Sequence, residues 1–176
     1  MRFSWGYQLN SPTLYIFSGL PASGKSTLAQ QLAKRLGATY IRIDTVEQGL
    51  KELCDFKVEG EGYPLSYRII HDNLVLGNNA IADSCNPIEL TRKEWEEVAT
   101  EAGAQFVNVE IKCSDLNEHR LRVNTRRSSI ENFRLPTWED VQNRHYEPWR
   151  TDIISIDTAG QTVEASFSEL VKQLGV

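Results

Sequence analysis

The chain has 176 residues, 40% of them hydrophobic and 24% charged, with a formal net charge of −5. That is enough chain for one domain, residues 1–176, with a buried core, and too apolar for wholesale disorder. The acidic balance argues against a nonspecific grip on a long polyanion, and no apolar run approaches the roughly 20 residues of a membrane span.

The opening MRFSWGYQLNSP, residues 1–12, reads as an N-terminal arm without the basic and apolar segments of a secretory signal. TLYIFS, 13–18, is apolar, β-rich and ended by glycine, which predicts a buried strand. Ser26 to Leu36 predicts a helix with Leu28, Leu32 and Leu36 on one face and Gly37 as its stop. TYIRID, 39–44, predicts a second strand and Thr45 to Leu53 a helix, followed by a loop over KVEGEGYP, 57–64. Helical spacing returns from Ser66 to Leu76, and NAIADSC, 79–85, predicts a third strand. A helix over 91–102, a strand over 105–113 and a basic helix over 115–127 come next. A polar connection (128–136), a short helix (137–145), a fifth strand (152–160) and a closing helix (161–174) complete the chain. This alternation predicts an α/β, three-layer doubly wound sandwich on a five-stranded parallel sheet, because each parallel step needs a crossover. Cys54, Cys85 and Cys113, odd in number and without metal-ligand spacing, predict reduced thiols and a cytoplasmic location.

GLPASGKST, 19–27, fits the phosphate-loop pattern G-x-x-x-x-G-K-[ST] without a mismatch, between a predicted strand and a predicted helix. Glycine permits the backbone angles such a loop needs, and the helix start turns free N–H groups and a positive dipole end on anionic oxygens. Gly19, Pro21, Ala22, Ser23, Gly24, Lys25, Ser26 and Thr27 are therefore the expected nucleotide-binding residues. Lys25 is expected to reach the β- and γ-phosphates, and Ser26 to place its hydroxyl on Mg²⁺.

Three further features bear on what is done with the nucleotide. Asp44, closing the second predicted strand, can accept the proton of an acceptor hydroxyl, or serve as a helix N-cap. Asp83 in the third strand can hold Mg²⁺ through water or contact the acceptor, with Asn86 adding an amide; the alternative is a polar strand-to-helix turn. Arg122 and Arg126, four apart on one helical face, and Arg127 can close over a transferring phosphoryl group as part of a lid spanning about 119–149. Against that stands a solvated basic helix, with Glu118 pairing Arg122. Toward the end of that region, Arg144 is a candidate phosphate contact. Trp138, Tyr146 and Trp149 either stack on an acceptor or pack the lid.

These four features, in this order, resemble the P-loop kinase family, AAA-type, in the branch that includes polynucleotide 5′-hydroxyl kinases and small-molecule kinases. The resemblance covers roughly residues 13–160. It implies ATP and Mg²⁺ as cofactors, Lys25, Asp44, Arg122 and Arg126 as catalytic residues, and Asp44 as general base. It further implies an acceptor site at Asp44, Asp83 and Asn86, to which the residue reading adds Arg127 and Arg144, and a nucleotide base bordered by Thr158, Ala159 and Gly160. One departure bears on the acceptor: relatives acting on nucleic acid ends carry an arginine shortly after the base, whereas TVEQGLKEL follows Asp44 and its first cation is Lys51. That departure speaks against nucleic acid and phosphorylated acceptors, and the favoured reading is transfer of the γ-phosphoryl group of ATP to a hydroxyl of a small molecule. A polynucleotide 5′-hydroxyl kinase, a kinase of nucleotide sugars and an ATP-binding regulatory switch are the alternatives.

Overall fold

The computed structural model describes residues 11–176; the expected N-terminal arm lies almost wholly outside them. Five parallel strands form one sheet in the order β2-β3-β1-β4-β5. They are β1 (Thr13–Ser18), β2 (Thr39–Arg42), β3 (Ala80–Asp83), β4 (Gln105–Lys112) and β5 (Ile154–Asp157). The helices are α1 (Lys25–Leu36), α2 (Ile43–Leu53), α3 (Gly62–Val75), α4 (Glu89–Glu101), α5 (Leu116–Thr125), α6 (Trp138–Gln142) and α7 (Val163–Leu174). Among the described residues no helix is long and apolar enough to cross a membrane.

The period-2 geometry of β1 divides the core in two. Leu14 and Ile16 face one side, packed with Ile70 and Leu74 of α3 and Trp95, Val98 and Ala99 of α4. Tyr15 and Phe17 face the other, packed with Leu28 and Leu32 of α1 and Leu170 of α7. Both faces are covered, as parallel sheets require. Trp95 is fully buried.

This topology creates the site. After β1 the chain passes to α1 on one face, and after β3 it passes to α4 on the other. Adjacent strands β1 and β3, in register from Leu14–Ala80 to Phe17–Asp83, thus send their following loops apart. Such a divergence leaves a crevice at the strand C-termini, where ligands bind in open α/β sheets.

Several elements are shorter than the sequence reading gave them, β5 and α6 among them, and two shifted boundaries bear on the site. β2 ends at Arg42 and α2 begins at Ile43, so Asp44 stands in the first helical turn rather than at a strand end. It does not cap the helix; Arg42 occupies that position and no side chain bonds there. α3 begins at Gly62, inside the predicted loop. Pro64 is tolerated there because the N–H groups of a first helical turn have no partner within the helix.

Candidate active site

The loop between β1 and α1 is shaped by its glycines. Gly19 has φ 139° and Gly24 φ 99°, both in the region that L side chains avoid. A Cβ at Gly19 would stand 2.1 Å from the Ile111 carbonyl oxygen of β4, so only glycine fits against that strand. The Gly19 N–H donates to the Cys85 carbonyl at 3.1 Å, tying the loop to the end of β3.

Lys25, the first residue of α1, extends its ammonium to Asp83 Oδ1 at 2.6 Å, and the Tyr40 hydroxyl donates to Asp83 Oδ2 at the same distance. Asp83 is 1% exposed. Burial opposes its charge, yet the Lys25 charge and hydrogen bonds from Lys25, Tyr40 and Ser26 outweigh it and hold the carboxyl below its ordinary value of 3.8. Burial, reinforced by Asp83, pushes the Tyr40 phenol upward, so it remains a donor. Both Asp83 oxygens are thus engaged, and the Ser26 hydroxyl lies beside them. This donor set fits Mg²⁺ bound by Ser26 with Asp83 acting through water, since Mg²⁺ usually keeps several waters.

From the loop a cavity of about 670 Å³ runs under the connection between α5 and α6. Lys25, Ser26, Asp44, Arg122, Arg126, Arg127 and Arg144 all line it, so the structure brings together most of the residues singled out in the sequence. The volume lies within the range of small-ligand sites, roughly 300–1,000 Å³. Asp44 keeps 47% of its side chain exposed, and Arg42 Nη2 approaches its Oδ2 at 3.6 Å. Arg126 lies near both, with Nε and Nη2 buried and unpartnered among the described residues. Burial, helped by Arg42 and opposed by Asp44, pulls the Arg126 guanidinium below the ordinary arginine value.

Arg122 is placed differently from its expected role alone. Its guanidinium donates to Thr158 Oγ1 at 2.7 Å, to the Thr158 carbonyl at 2.9 Å, and to Glu118. The Thr158 hydroxyl in turn donates to the Ser23 carbonyl at 2.8 Å. Arg122 therefore bolts α5 to the phosphate loop through the segment after β5. His119 adds a second bolt, its Nε2 lying 2.8 Å from the Pro21 carbonyl.

Four expected contacts do not line the cavity: Ser23 and Asp83, both buried, and Asn86 and Gly160. Asn86 is fully buried; its amide donates to the Phe17 carbonyl at 3.1 Å and to Ser18 Oγ at 3.3 Å, which fixes the turn after β3. The polar-turn alternative describes it. Gly160 lends its N–H to Glu118 Oε2 at 2.8 Å and turns the chain at φ 66°. A smaller cavity of about 270 Å³ beside Gly24 is lined instead by Thr158, Gln161, Thr162 and Val163. Trp138, Tyr146 and Trp149 of the lid region pack rather than line the cavity, whereas Phe133 lines it. Trp138 meets His119 edge-on, and Tyr146 and Trp149 lie against the Arg92 guanidinium. Arg92 is 3% exposed and also donates to the carbonyls of Asn86 and Glu147, which docks the 146–149 segment on α4.

Arg42 escaped the sequence reading, which looked for a cation only after Asp44. It closes β2 immediately before α2, and its Nη1 donates to Ser129 Oγ across the cavity at 3.1 Å. The signal available was its position two residues before Asp44, facing the same crevice.

Comparisons with known proteins agree with this fold. The chain belongs to the AAA domain family, whose model matches residues 14–148. No curated protein matches the sequence. Among solved structures, an inferred kinase from Chloroflexus aurantiacus j-10-fl aligns with a TM-score of 0.74 at 18% identity, over 93% of this chain and 98% of its own. A gluconokinase from Sinorhizobium meliloti 1021 aligns at 0.63 and 16% identity, over 94% and 97%. The Mycobacterium tuberculosis APS kinase CysC, in complex with AMPPNP and APS, aligns at 0.64 and 17% identity, over 94% and 99%. The fold is that of P-loop kinases, as the sequence motifs implied.

Proposed function

We propose that the protein is a phosphotransferase that moves the γ-phosphoryl group of ATP to a hydroxyl of a small molecule. The observation that carries this reading is one cavity lined both by a phosphate loop and by a half-exposed carboxylate, Asp44. The nucleotide base takes the smaller cavity beside Gly24, and the phosphates take the loop amides and Lys25. Bound ATP supplies the phosphoryl group, and Mg²⁺ screens its charge. Ser26 would hold the metal, with Asp83 in its outer sphere.

Asp44 orients the acceptor hydroxyl and accepts its proton as the oxygen bonds to phosphorus; the bond to the leaving oxygen of ADP breaks in the same transfer. Arg126 and Arg127 face the charge that develops on the moving group. The connection over 126–137 covers the cavity and limits water, which favours transfer over hydrolysis. Free cysteines at Cys54, Cys85 and Cys113 support a cytoplasmic setting.

The test is incubation with γ-labelled ATP and Mg²⁺ against two acceptor pools, with Lys25→Ala as blank. One pool holds 5′-hydroxyl oligonucleotides; the other holds sugars, nucleosides, amino alcohols, sugar acids and nucleotide sugars. Label in the second pool is the expected result. Label in the oligonucleotides moves the protein to nucleic acid ends, and release of free phosphate alone favours a regulatory switch.

A further inference from the structure

We infer that the acceptor carries an oxyanion beside its hydroxyl, a phosphate, sulfate or carboxylate, bound by Arg42 in the main cavity, with Arg144 of the same lining as the second contact. The inference rests on the kinase reading and names the class of its acceptor.

Charge supplies the first argument. Six cationic and two acidic side chains line the main cavity. The chain as a whole carries −5, so this concentration of positive charge is local. Two of the six are already balanced, Lys25 by Asp83 and Arg122 by Glu118. Arg42, Arg126, Arg127 and Arg144 share the two acidic side chains of the lining, Asp44 and Glu47, and Arg144 also lies near Asp140 outside it. Burial, with Asp44 and Glu61 nearby and Lys51 opposing, raises the Glu47 carboxyl above its ordinary value. ATP with one Mg²⁺ presents a net charge of about −2 and already has Lys25 and the loop amides. Positive charge remains for a second anion.

Position separates Arg42 from the phosphate loop. β3 lies between β2 and β1, and Arg42 is in register with Asp83, which is in register with Phe17. Two strand spacings put the Arg42 backbone about 10 Å from the loop strand. Its side chain lies between Asp44 and Ser129, on the acceptor side of the proposed base.

Unsatisfied hydrogen bonding supplies the third argument. Arg42 is only 15% exposed at its side chain, and its Nε is buried without a partner among the described residues. Its approach to Asp44 at 3.6 Å is too long for a hydrogen bond. A buried guanidinium held by one serine hydroxyl is costly unless a ligand completes it, and arginine matches planar oxyanions in a two-pronged fashion. Arg144 and Cys85 line the same cavity, and the positive charge of Arg144 acts on the Cys85 thiol.

The experiment is calorimetric and needs no knowledge of the acceptor. AMPPNP with Mg²⁺ is titrated first, and binding there tests the nucleotide site by itself. Sulfate, phosphate and acetate are then titrated separately into the AMPPNP-saturated protein. We expect one further oxyanion site, weakened about 10- to 100-fold in Arg42→Gln and in Arg144→Gln. AMPPNP affinity in each variant verifies that it has folded, and the second variant decides if the first has not. Preference for sulfate and phosphate over acetate assigns a tetrahedral group; the reverse assigns a carboxylate. Absence of oxyanion binding beside bound AMPPNP overturns the inference and leaves the kinase reading standing, as does binding that neither variant weakens. Failure to bind AMPPNP overturns both.

Discussion

At the phosphate-loop end of the cavity the charged groups already have partners; at the Asp44 end, guanidinium nitrogens are buried without them. Lys25 and Tyr40 saturate the Asp83 carboxylate, and Arg122 is spent on Thr158 and Glu118. Arg42 and Arg126 keep buried donors with no acceptor among the described residues. The difference teaches how the two ends meet their ligands. The first end is self-neutralised and must exchange a carboxylate for phosphate oxygens on Lys25. The second holds an electrostatic debt that a ligand discharges on binding.

The comparison breaks most visibly at Lys25. Lys25→Ala is expected to lower γ-phosphoryl transfer about 10³-fold, since a charge aimed at the developing negative charge is lost. It also strands Asp83, which is buried. Thermal unfolding is expected to show a loss of about 3–5 kcal/mol near neutral pH, the usual cost of breaking a buried pair. At the other end, Arg126→Met keeps the packing stem and removes the unpaired head. Transfer is expected to fall about 10²-fold while the melting temperature holds or rises, because an unsatisfied buried group costs about 1–3 kcal/mol. A fall in both would place Arg126 with the self-neutralised end.

Tyr40→Phe sharpens the contrast further. It removes one hydrogen bond to a charged carboxylate and is expected to destabilise by about 1.5–3 kcal/mol, read by chemical denaturation, with transfer changed less than about tenfold. The smallest effect is a pH dependence. Asp83 has a folded pKa below its ordinary value of 3.8, so its contribution is full above that value. It is lost as the pH falls through the lower folded value. Wild type is expected to lose stability across that acid window, and Lys25→Ala to lose less, measured as denaturation midpoints from pH 6 down to about pH 2.

The two ends were also unequally legible in the sequence. The phosphate-loop end is built from contiguous residues whose backbone geometry dictates their type, so GLPASGKST announces it. The strand over Thr13–Ser18 matches its predicted bounds because a buried β-rich run ends at a glycine that must turn. The Asp44 end is assembled across the chain: Arg42 meets Ser129 at a separation of 87 residues. No local pattern encodes that meeting. The β2–α2 boundary was hidden by Ile41 and Ile43, whose alternation reads as strand although Ile43 packs in the core as the first residue of α2. Asn86 and Gly160 were misplaced for a related reason. A polar residue beside a motif looks available, yet each is consumed by holding the loops in shape.

The most direct measurement of the central claim compares wild type with Asp44→Asn on a desalted mixture of small cellular metabolites, using ATP labelled with ¹⁸O in its γ-phosphoryl group. Mass spectrometry follows which compounds gain the heavy phosphoryl group. Asp44 is half exposed, so the substitution should leave folding intact while removing the proton acceptor. The predicted result is a single anionic compound that acquires the label with wild type and does so about 10²–10⁴ times more slowly with Asp44→Asn. Label appearing only in inorganic phosphate, or in the same compound at equal rates with both proteins, would contradict it.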